Sequence, residues 1–142
     1  MYTSETKIRV RYSETDAMGV VYYGNYAAYF EVARVEAIRQ LGISYRDLED
    51  MGIIMPVVEL HTRFLRSAKY DDLLTIRTII KEFPKAHRIE FFQEVYNEEG
   101  KQLTTGRVVL YILKAATMER TILPEALQLK LQPFFATEDA DL

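Results

Sequence analysis

The sequence predicts an α+β fold in which an antiparallel sheet of about five strands covers one long helix. Two observations lead to this prediction: one long stretch with helical spacing in the first third of the chain, and four runs rich in β-branched and aromatic residues after Pro56. The chain has 142 residues, of which 49% are apolar and 27% are charged. This size and composition are typical of one globular domain, so residues 1–142 are expected to form a single domain.

The first predicted element is a strand over Lys7–Tyr12, where polar and apolar residues alternate. The long helix follows over Asn25–Leu41, a stretch without Pro or Gly that Gly42 ends. Its apolar residues recur at helical spacing and form one stripe: Tyr26, Phe30, Ala33, Ala37 and Leu41. Its charged residues are expected to lie mostly off that stripe and to pair one turn apart: Glu31, Arg34, Glu36 and Arg39.

A short helix over Ser44–Met51 is predicted next, because Ser44 suits the N-cap position and Gly52 ends the pattern. Four strands are then predicted over Val57–Leu65, Leu73–Phe83, His87–Tyr96 and Leu103–Leu113. The short, turn-like connections predict that the last three strands form an antiparallel meander. Pro124 is expected to open a short final helix, and the acidic tail Thr137–Leu142 is expected to be frayed.

The composition also narrows the chemistry that this chain carries. Cys is absent, which excludes disulfides, thiolate catalysis and thiolate metal sites. The only two His residues, His61 and His87, stand in or beside predicted strands and are expected to be structural, so no metal site is expected. A net charge of -3 does not favour nucleic acid as a partner. No apolar run is long enough for a transmembrane segment and the first residues lack a signal-peptide pattern, so a soluble, cytoplasmic protein is predicted.

The sheet is expected to bury both of its faces, although one helix covers only one of them. Apolar residues stand next to each other in two predicted strands, at Phe91-Phe92 and at Val108–Leu110. Neighbouring positions in a strand point to opposite faces, so both faces are expected to carry apolar side chains. The sequence therefore predicts that the second face packs on another subunit in a homo-oligomer.

The segment Tyr12–Tyr26 joins the first strand to the long helix and holds the best candidates for chemistry. Asp16 precedes a Gly-containing turn close to the helix start, where free backbone N–H groups and the positive end of the helix dipole favour an oxyanion. A carboxylate beside such donors suits acyl transfer. The residues alone leave two other interpretations open: Asp16 forms or caps the turn, and Tyr22 and Tyr23 pack in the core.

The same segment resembles the signature of the 4-hydroxybenzoyl-CoA thioesterase branch of the hotdog superfamily, which includes the Tol-Pal-associated acyl-CoA thioesterases. The matching residues are Tyr12, Asp16, Gly19, Val20-Val21, Tyr22-Tyr23 and Asn25-Tyr26. The likeness continues through Phe30–Glu36 and Ala68–Leu73 and so covers nearly the whole chain. The resemblance implies a hotdog fold, in which the sheet wraps the long helix, and a homodimer or homotetramer with the active site near the subunit interface.

The resemblance also implies a function, the hydrolysis of an acyl thioester of CoA or of acyl carrier protein. No metal or redox cofactor is implied, and CoA is part of the substrate. Asp16 would be the catalytic carboxylate, as nucleophile or as general base. The thioester oxygen would bind the backbone N–H of Tyr23, with Gly24 as a second donor. Gly19, Tyr22 and Asn25 complete the substrate site that the resemblance implies.

Two alternatives to a thioesterase follow from the same fold. A hotdog hydratase or dehydratase usually pairs a catalytic His with a carboxylate, and no His stands near Asp16 in the sequence. Many Tol-Pal-associated members carry His where this chain has Tyr23, so a His-assisted mechanism is not implied either. The second alternative is a binding module for acyl thioesters or acyl carrier protein without turnover.

A basic cluster of Arg63, Arg66 and Lys69 either binds CoA phosphates or forms a solvated strand edge.

Overall fold

The computed structural model describes residues 1–136 and contains three α-helices and seven strands within them. The helices are α1 (Tyr26–Arg39), α2 (Tyr45–Asp50) and α3 (Glu125–Leu131). The strands are β1 (Tyr2–Arg9), β2 (Ile53–Ile54), β3 (Val57–Phe64), β4 (Leu73–Ile80), β5 (Arg88–Tyr96), β6 (Gln102–Tyr111) and β7 (Leu113–Lys114). The tail at residues 137–142, which was expected to be frayed, lies outside the described residues.

Five strands form one antiparallel sheet in the order β1-β4-β5-β6-β3, with α1 packed against one face. Strands β4, β5 and β6 are neighbours in chain order, so the predicted meander is confirmed. The predicted α+β hotdog arrangement is confirmed as well. A separate pair of short strands, β2 and β7, was not predicted. No helix within residues 1–136 is long and apolar enough to cross a membrane.

Helix α1 is held across the middle of the sheet by its buried stripe. The predicted stripe residues are all buried: Tyr26, Phe30, Ala33, Ala37 and Leu41. The Phe30 ring lies directly on β6 at Gly106, where an added Cβ would come within 2.7 Å of two ring carbons. The fully buried Gln93 of β5 donates its Nε2 hydrogen to the main-chain oxygen of Phe30 at 3.0 Å. These two contacts fix the height and the lateral position of α1 on the sheet.

The predicted bounds of the first strand were wrong. Strand β1 begins at Tyr2 and pairs with β4 along its whole length, from Tyr2 opposite Ile80 to Arg9 opposite Leu73. Ser4 is buried although it is polar, so the inward positions of β1 do not show the apolar alternation that marks a strand in sequence. The strand ends before Tyr12 because the next residues form a 3-10 turn over Tyr12–Glu14.

The charged residues of α1 do not all lie off its buried stripe. Arg39 pairs with Glu36 at 3.1 Å, one turn away, as the spacing predicts. Arg34, however, is only 5% exposed and does not pair with Glu31, which contradicts the expectation for this residue. Its guanidinium lies beside the hydroxyl of Tyr45, whose pKa is raised by burial. The flexible stem of Arg allows such burial, which an assignment based on charge alone does not anticipate.

The two short helices begin where the sequence predicted. The Ser44 hydroxyl accepts the Asp47 N–H at 3.0 Å, and the Asp47 carboxylate accepts the Ser44 N–H at 2.8 Å. This reciprocal pair is a capping box, and the hydrogen bonds from Ser44 lower the pKa of Asp47. Helix α3 begins directly after Pro124.

The sheet face turned away from α1 is less apolar than the sequence suggested. It carries ion pairs of Arg107 with Glu90 and Glu59, and of Arg77 with Glu94. Of the outward apolar residues singled out from the sequence, Phe92 is covered by the Lys81 ammonium 3.8 Å from its ring centroid, and Val109 is buried. The exposed apolar side chains lie instead on the edge strand β3: Val57, Val58, Leu60 and Phe64.

Candidate active site

The predicted catalytic residue Asp16 begins a tight turn between β1 and α1. Its main-chain oxygen accepts the Gly19 N–H at 3.0 Å, and its own N–H donates to the Val20 oxygen at 2.9 Å. Gly19 has a φ of 78°, a conformation that glycine adopts without strain. The Asp16 Oδ1 atom accepts the Met18 N–H at 2.8 Å. Asp16 is therefore a turn former through Oδ1, while Oδ2 accepts no hydrogen bond from residues 1–136.

The start of the central helix lies beside this turn. One 3-10 turn, Tyr23–Asn25, leads directly into α1. Within the part of the chain that the structure describes, the N–H groups of Tyr23 and Gly24 donate no hydrogen bond, as is usual for the first residues of a helix. A Cβ on Gly24 would lie 2.8 Å from the Tyr22 ring, so glycine lets that ring fold back over the chain. The N–H groups of Tyr23 and Gly24 therefore have no described acceptor at the helix start.

Asp16, Tyr23 and Arg66 line one open cavity of about 260 Å³, which we call the Asp16 groove. The remaining lining residues are mostly apolar: Met18, Val20, Val21, Tyr26, Phe64, Leu65 and Ser67. The Phe64 ring stands between two tyrosines, with centroid distances of 5.4 Å to Tyr26 and 6.3 Å to Tyr23. Phe64 is the last residue of the edge strand β3, so the groove opens along that edge.

The tyrosines of this region differ in exposure and electrostatics. Tyr22 and Tyr23 are 46% and 64% exposed, which contradicts the interpretation that both pack in the core. Their rings lie 4.6 Å apart, and the hydroxyl of Tyr23 raises the pKa of Tyr22. Tyr26 is buried at the bottom of the groove, and burial raises its pKa, so its hydroxyl stays protonated at neutral pH. An apolar, aromatic floor of this kind suits an acyl group.

The basic cluster divides between the groove and its surroundings. Arg66 lines the groove, Arg63 stands on the edge strand β3, and the Lys69 backbone is paired with Val20 in the Asp16 turn. All three side chains are exposed, and none forms an ion pair with a described residue. They are therefore free to meet an anion from outside.

Asn25 and the two histidines lie apart from the groove lining. The Asn25 Nδ2 group donates to the Glu14 main-chain oxygen at 2.8 Å, which ties the helix start to the loop. His61 is exposed on β3, and the His87 ring packs edge-on against Tyr111 with centroids 4.7 Å apart. Residues 1–136 contain no cluster of three or more His, Asp or Glu side chains that could hold a metal ion.

Glu14 and Phe64 belong to this region but were not singled out from the sequence. Phe64 is one apolar residue among several in a predicted strand, and only the fold brings it against Tyr23 and Tyr26. Glu14 carried a usable signal, since a Glu three residues after Arg11 can return a hydrogen bond to the Arg11 N–H.

Comparison with known proteins assigns the class. Residues 10–131 match the family described as the Thioesterase-like superfamily. The putative acyl-CoA thioesterase YneP of Bacillus subtilis is 34% identical over 101 residues, which are 71% of this chain and 72% of that protein. The acyl-CoA thioester hydrolase YbgC of Escherichia coli O6:H1 is 30% identical over 120 residues, 84% of this chain and 89% of that protein. A crystal structure of the DHNA-CoA thioesterase from Staphylococcus aureus superposes with a TM-score of 0.81 at 36% identity, covering 99% of this chain and 88% of that one.

The fold and the match over most of its length define the chain as a hotdog-fold thioester hydrolase. This chain belongs to the thioesterase-like superfamily. The resemblance seen in the segment Tyr12–Tyr26 is thereby confirmed, together with the predicted enzyme class.

Proposed function

We propose that this protein is an acyl-CoA thioesterase that hydrolyses its substrate in the Asp16 groove. The observation that carries the proposal is the shared lining of that groove: the Asp16 carboxylate and the helix-start residue Tyr23 face one apolar cavity. The similar proteins YneP and YbgC are named for acyl-CoA thioesters, which supports CoA as the thiol carrier. The cytoplasmic location predicted from the sequence remains part of this proposal.

The proposed mechanism uses two groups on opposite sides of the thioester carbonyl. The backbone N–H groups of Tyr23 and Gly24 donate to the carbonyl oxygen, and one such donor is generally worth roughly 3 to 4 kcal/mol in the transition state. In one route Asp16 attacks the carbonyl carbon through Oδ2, so that the C–S bond breaks, the CoA thiolate leaves and water then hydrolyses the mixed anhydride on Asp16 to the free acid. In the other route Asp16 takes a proton from a water that attacks the carbonyl carbon, and the same C–S bond breaks to release the acid and the CoA thiolate. Neither route needs a metal or a redox cofactor, so EDTA should leave the rate unchanged.

The test is thiol release from a panel of short-chain, medium-chain, long-chain and aromatic acyl-CoAs, with Asp16→Asn beside the wild type. We expect turnover with the wild type and at least about 100-fold less with Asp16→Asn. A folded protein that binds acyl-CoA without releasing thiol would be a binding module. Conversion of an enoyl-CoA without thiol release would indicate a hydratase. Thiol release from acyl carrier protein thioesters but not from acyl-CoAs would show that the carrier is acyl carrier protein, and the protein would still be a thioesterase.

Arg66 is proposed to hold a phosphate of CoA at the rim of the groove, with Arg63 and Lys69 nearby. The proposal is supported by the exposed guanidinium of Arg66, which lines the groove and can donate two hydrogen bonds to a phosphate. Arg66→Ala should raise KM severalfold at low salt and less at high salt, because salt screens the interaction. Arg39→Ala is the matched control, since Arg39 is paired with Glu36 on α1 away from the groove. An unchanged KM for Arg66→Ala would remove this residue from the substrate site.

A homodimer through the β3 edge is proposed as the working assembly. An edge strand exposes unpaired backbone groups, and β3 adds four exposed apolar side chains to them. Because the groove opens beside Phe64, a second subunit on β3 would also close its open side. Light scattering should give at least twice the chain mass of 16.6 kDa, and Leu60→Lys should lower the mass and the activity together. Leu129→Lys, at an exposed apolar position on α3, is the control.

A further inference from the structure

Glu14 makes more connections across the site than any residue that the proposed mechanism uses. Its carboxylate is only 13% exposed. The Oε1 atom accepts the Arg11 N–H at 2.7 Å and the Tyr29 hydroxyl at 3.1 Å, while Oε2 accepts from the Arg11 guanidinium at 3.1 Å. These bonds tie Arg11, two residues after β1, to the first turn of α1.

The main chain of the same residue holds the helix start. Its oxygen accepts the Tyr22 N–H at 2.9 Å and the Asn25 Nδ2 group at 2.8 Å. Tyr22 and Asn25 flank Tyr23 and Gly24, the two residues whose N–H groups are the proposed oxyanion donors. Glu14 therefore binds both sides of the donor pair and stands two residues before Asp16.

The hydrogen bonds of Asp16 itself do not hold it against those donors. The hydrogen bonds of Asp16 reach only Met18, Gly19 and Val20, so they set the shape of the turn but not its place relative to α1. The Val21 N–H donates to the Ala68 oxygen at 2.8 Å, which anchors the far end of the turn to the segment before β4. Val21 also packs in one buried cluster with Tyr26 and Tyr29 of α1, but among the described residues the hydrogen-bonded link between the turn and the helix start is made by Glu14.

The hydrogen bonds to the Glu14 carboxylate stabilise its ionised form. Burial raises the pKa of Glu14, but the hydrogen bonds from Arg11 and Tyr29 outweigh it, and the pKa lies below its usual value. Burial and the facing Glu14 carboxylate both raise the pKa of Tyr29, so its hydroxyl remains a donor. A hydrogen bond to a charged acceptor is roughly twice as strong as a neutral one.

We propose that Glu14 is the positioning residue of the active site, which sets the distance between the Asp16 carboxylate and the N–H groups of Tyr23 and Gly24 through its bond to Tyr29. This role rests on the proposed thioesterase function and adds a residue to it. A misplacement of about 1 Å between catalytic groups can cost on the order of 100-fold in rate. The loss should therefore appear in kcat, because the acyl group and CoA still bind in the groove.

Tyr29→Phe is the sharpest variant, because it removes one hydroxyl and keeps the buried ring and the Glu14–Arg11 pair. We expect its kcat to fall about tenfold and its KM to stay within about twofold of the wild type. Glu14→Ala should lower kcat about 100-fold. Glu14→Gln should recover part of that loss, since its amide oxygen still accepts from Tyr29. Tyr45→Phe is the matched control, because it also removes a buried tyrosine hydroxyl beside α1, away from the groove.

The double variant Glu14→Ala with Tyr29→Phe separates positioning from simple stabilisation. If the two residues act as one unit, the double variant should be no slower than Glu14→Ala alone. Wild-type kcat in Tyr29→Phe, or rate losses that multiply in the double variant, would overturn the proposal. Melting temperatures measured in parallel show whether each variant is folded. If Glu14→Ala does not fold, the double variant Glu14→Gln with Tyr29→Phe is compared with Glu14→Gln instead.

Asp16→Asn in the same assay distinguishes the two levels of the proposal. Full turnover by Asp16→Asn would refute the proposed function itself. An inactive Asp16→Asn beside a Tyr29→Phe variant with wild-type kcat would refute only the role of Glu14.

Discussion

Replacing Gly106 by alanine tests how α1 is held on the sheet. The new methyl group would lie 2.7 Å from the Cε2 and Cζ atoms of Phe30, closer than carbon atoms approach. Both residues are buried and Phe30 has no exposed surface, so the ring has no solvent space to move into. Two effects on the free energy of unfolding therefore oppose each other. Replacing Gly by Ala in a strand raises it by roughly 0.5 to 1 kcal/mol, and overpacking a core lowers it by about 1 to 3 kcal/mol.

The overpacking cost should dominate, and the free energy of unfolding should fall by about 1 to 2 kcal/mol. For a chain of this size each kcal/mol lowers the melting temperature by about 3 °C, so a decrease of about 3 to 6 °C is expected. Urea unfolding monitored by circular dichroism gives the free energy directly.

A second variant makes this expectation specific to the ring contact. Phe30→Leu removes the clashing atoms, so the loss in the Gly106→Ala, Phe30→Leu double variant should be smaller than the sum of the two single losses. Strictly additive losses, or a Gly106→Ala protein more stable than the wild type, would refute the reasoning. The same measurement on Gly100→Ala is a control, because a Cβ there meets no atom within 4 Å and only the positive φ of 79° opposes it.

Three further predictions concern the site and the helix ends. Tyr23→Phe should keep kcat within a few fold of the wild type in the thiol-release assay, because the proposed donor is its main-chain N–H; a loss as large as that of Asp16→Asn would count against the main-chain role. Ser44→Ala removes the cap of α2 and should cost about 1 kcal/mol in urea unfolding, whereas an unchanged midpoint would show that the cap is unimportant. Glu14 has a pKa below its usual 4.5, so its ionised form stabilises the fold above that pH and the stabilisation is lost as pH falls through the lowered pKa. Acid unfolding of Glu14→Gln should therefore be less steep below about pH 4.5 than that of the wild type, and equal slopes would contradict the assigned direction.

Local patterns in the sequence were sufficient for most of the fold. The spacing of Phe30, Ala33 and Ala37 defined the buried face of α1, because a helix repeats its contacts every three or four residues. Ser44 and Pro124 marked the starts of α2 and α3, because capping depends on neighbouring residues. The family signature from Tyr12 to Tyr26 gave the enzyme class and the candidate carboxylate. Each of these features is encoded within about fifteen consecutive residues.

The tertiary structure decided what depends on contacts between distant segments. Ser4 and Arg34 are buried by partners elsewhere in the chain, which their polarity alone does not reveal. Phe64 reaches the Asp16 groove only because β3 ends beside the helix start, and the exposed apolar side chains fall on the sheet edge rather than on the outer face. The position of Glu14 between Arg11 and Tyr29 likewise appears only once β1 and α1 are packed together. The sequence by itself determined most of the helices and strands and the candidate catalytic residues, and long-range packing determined which side chains surround those residues.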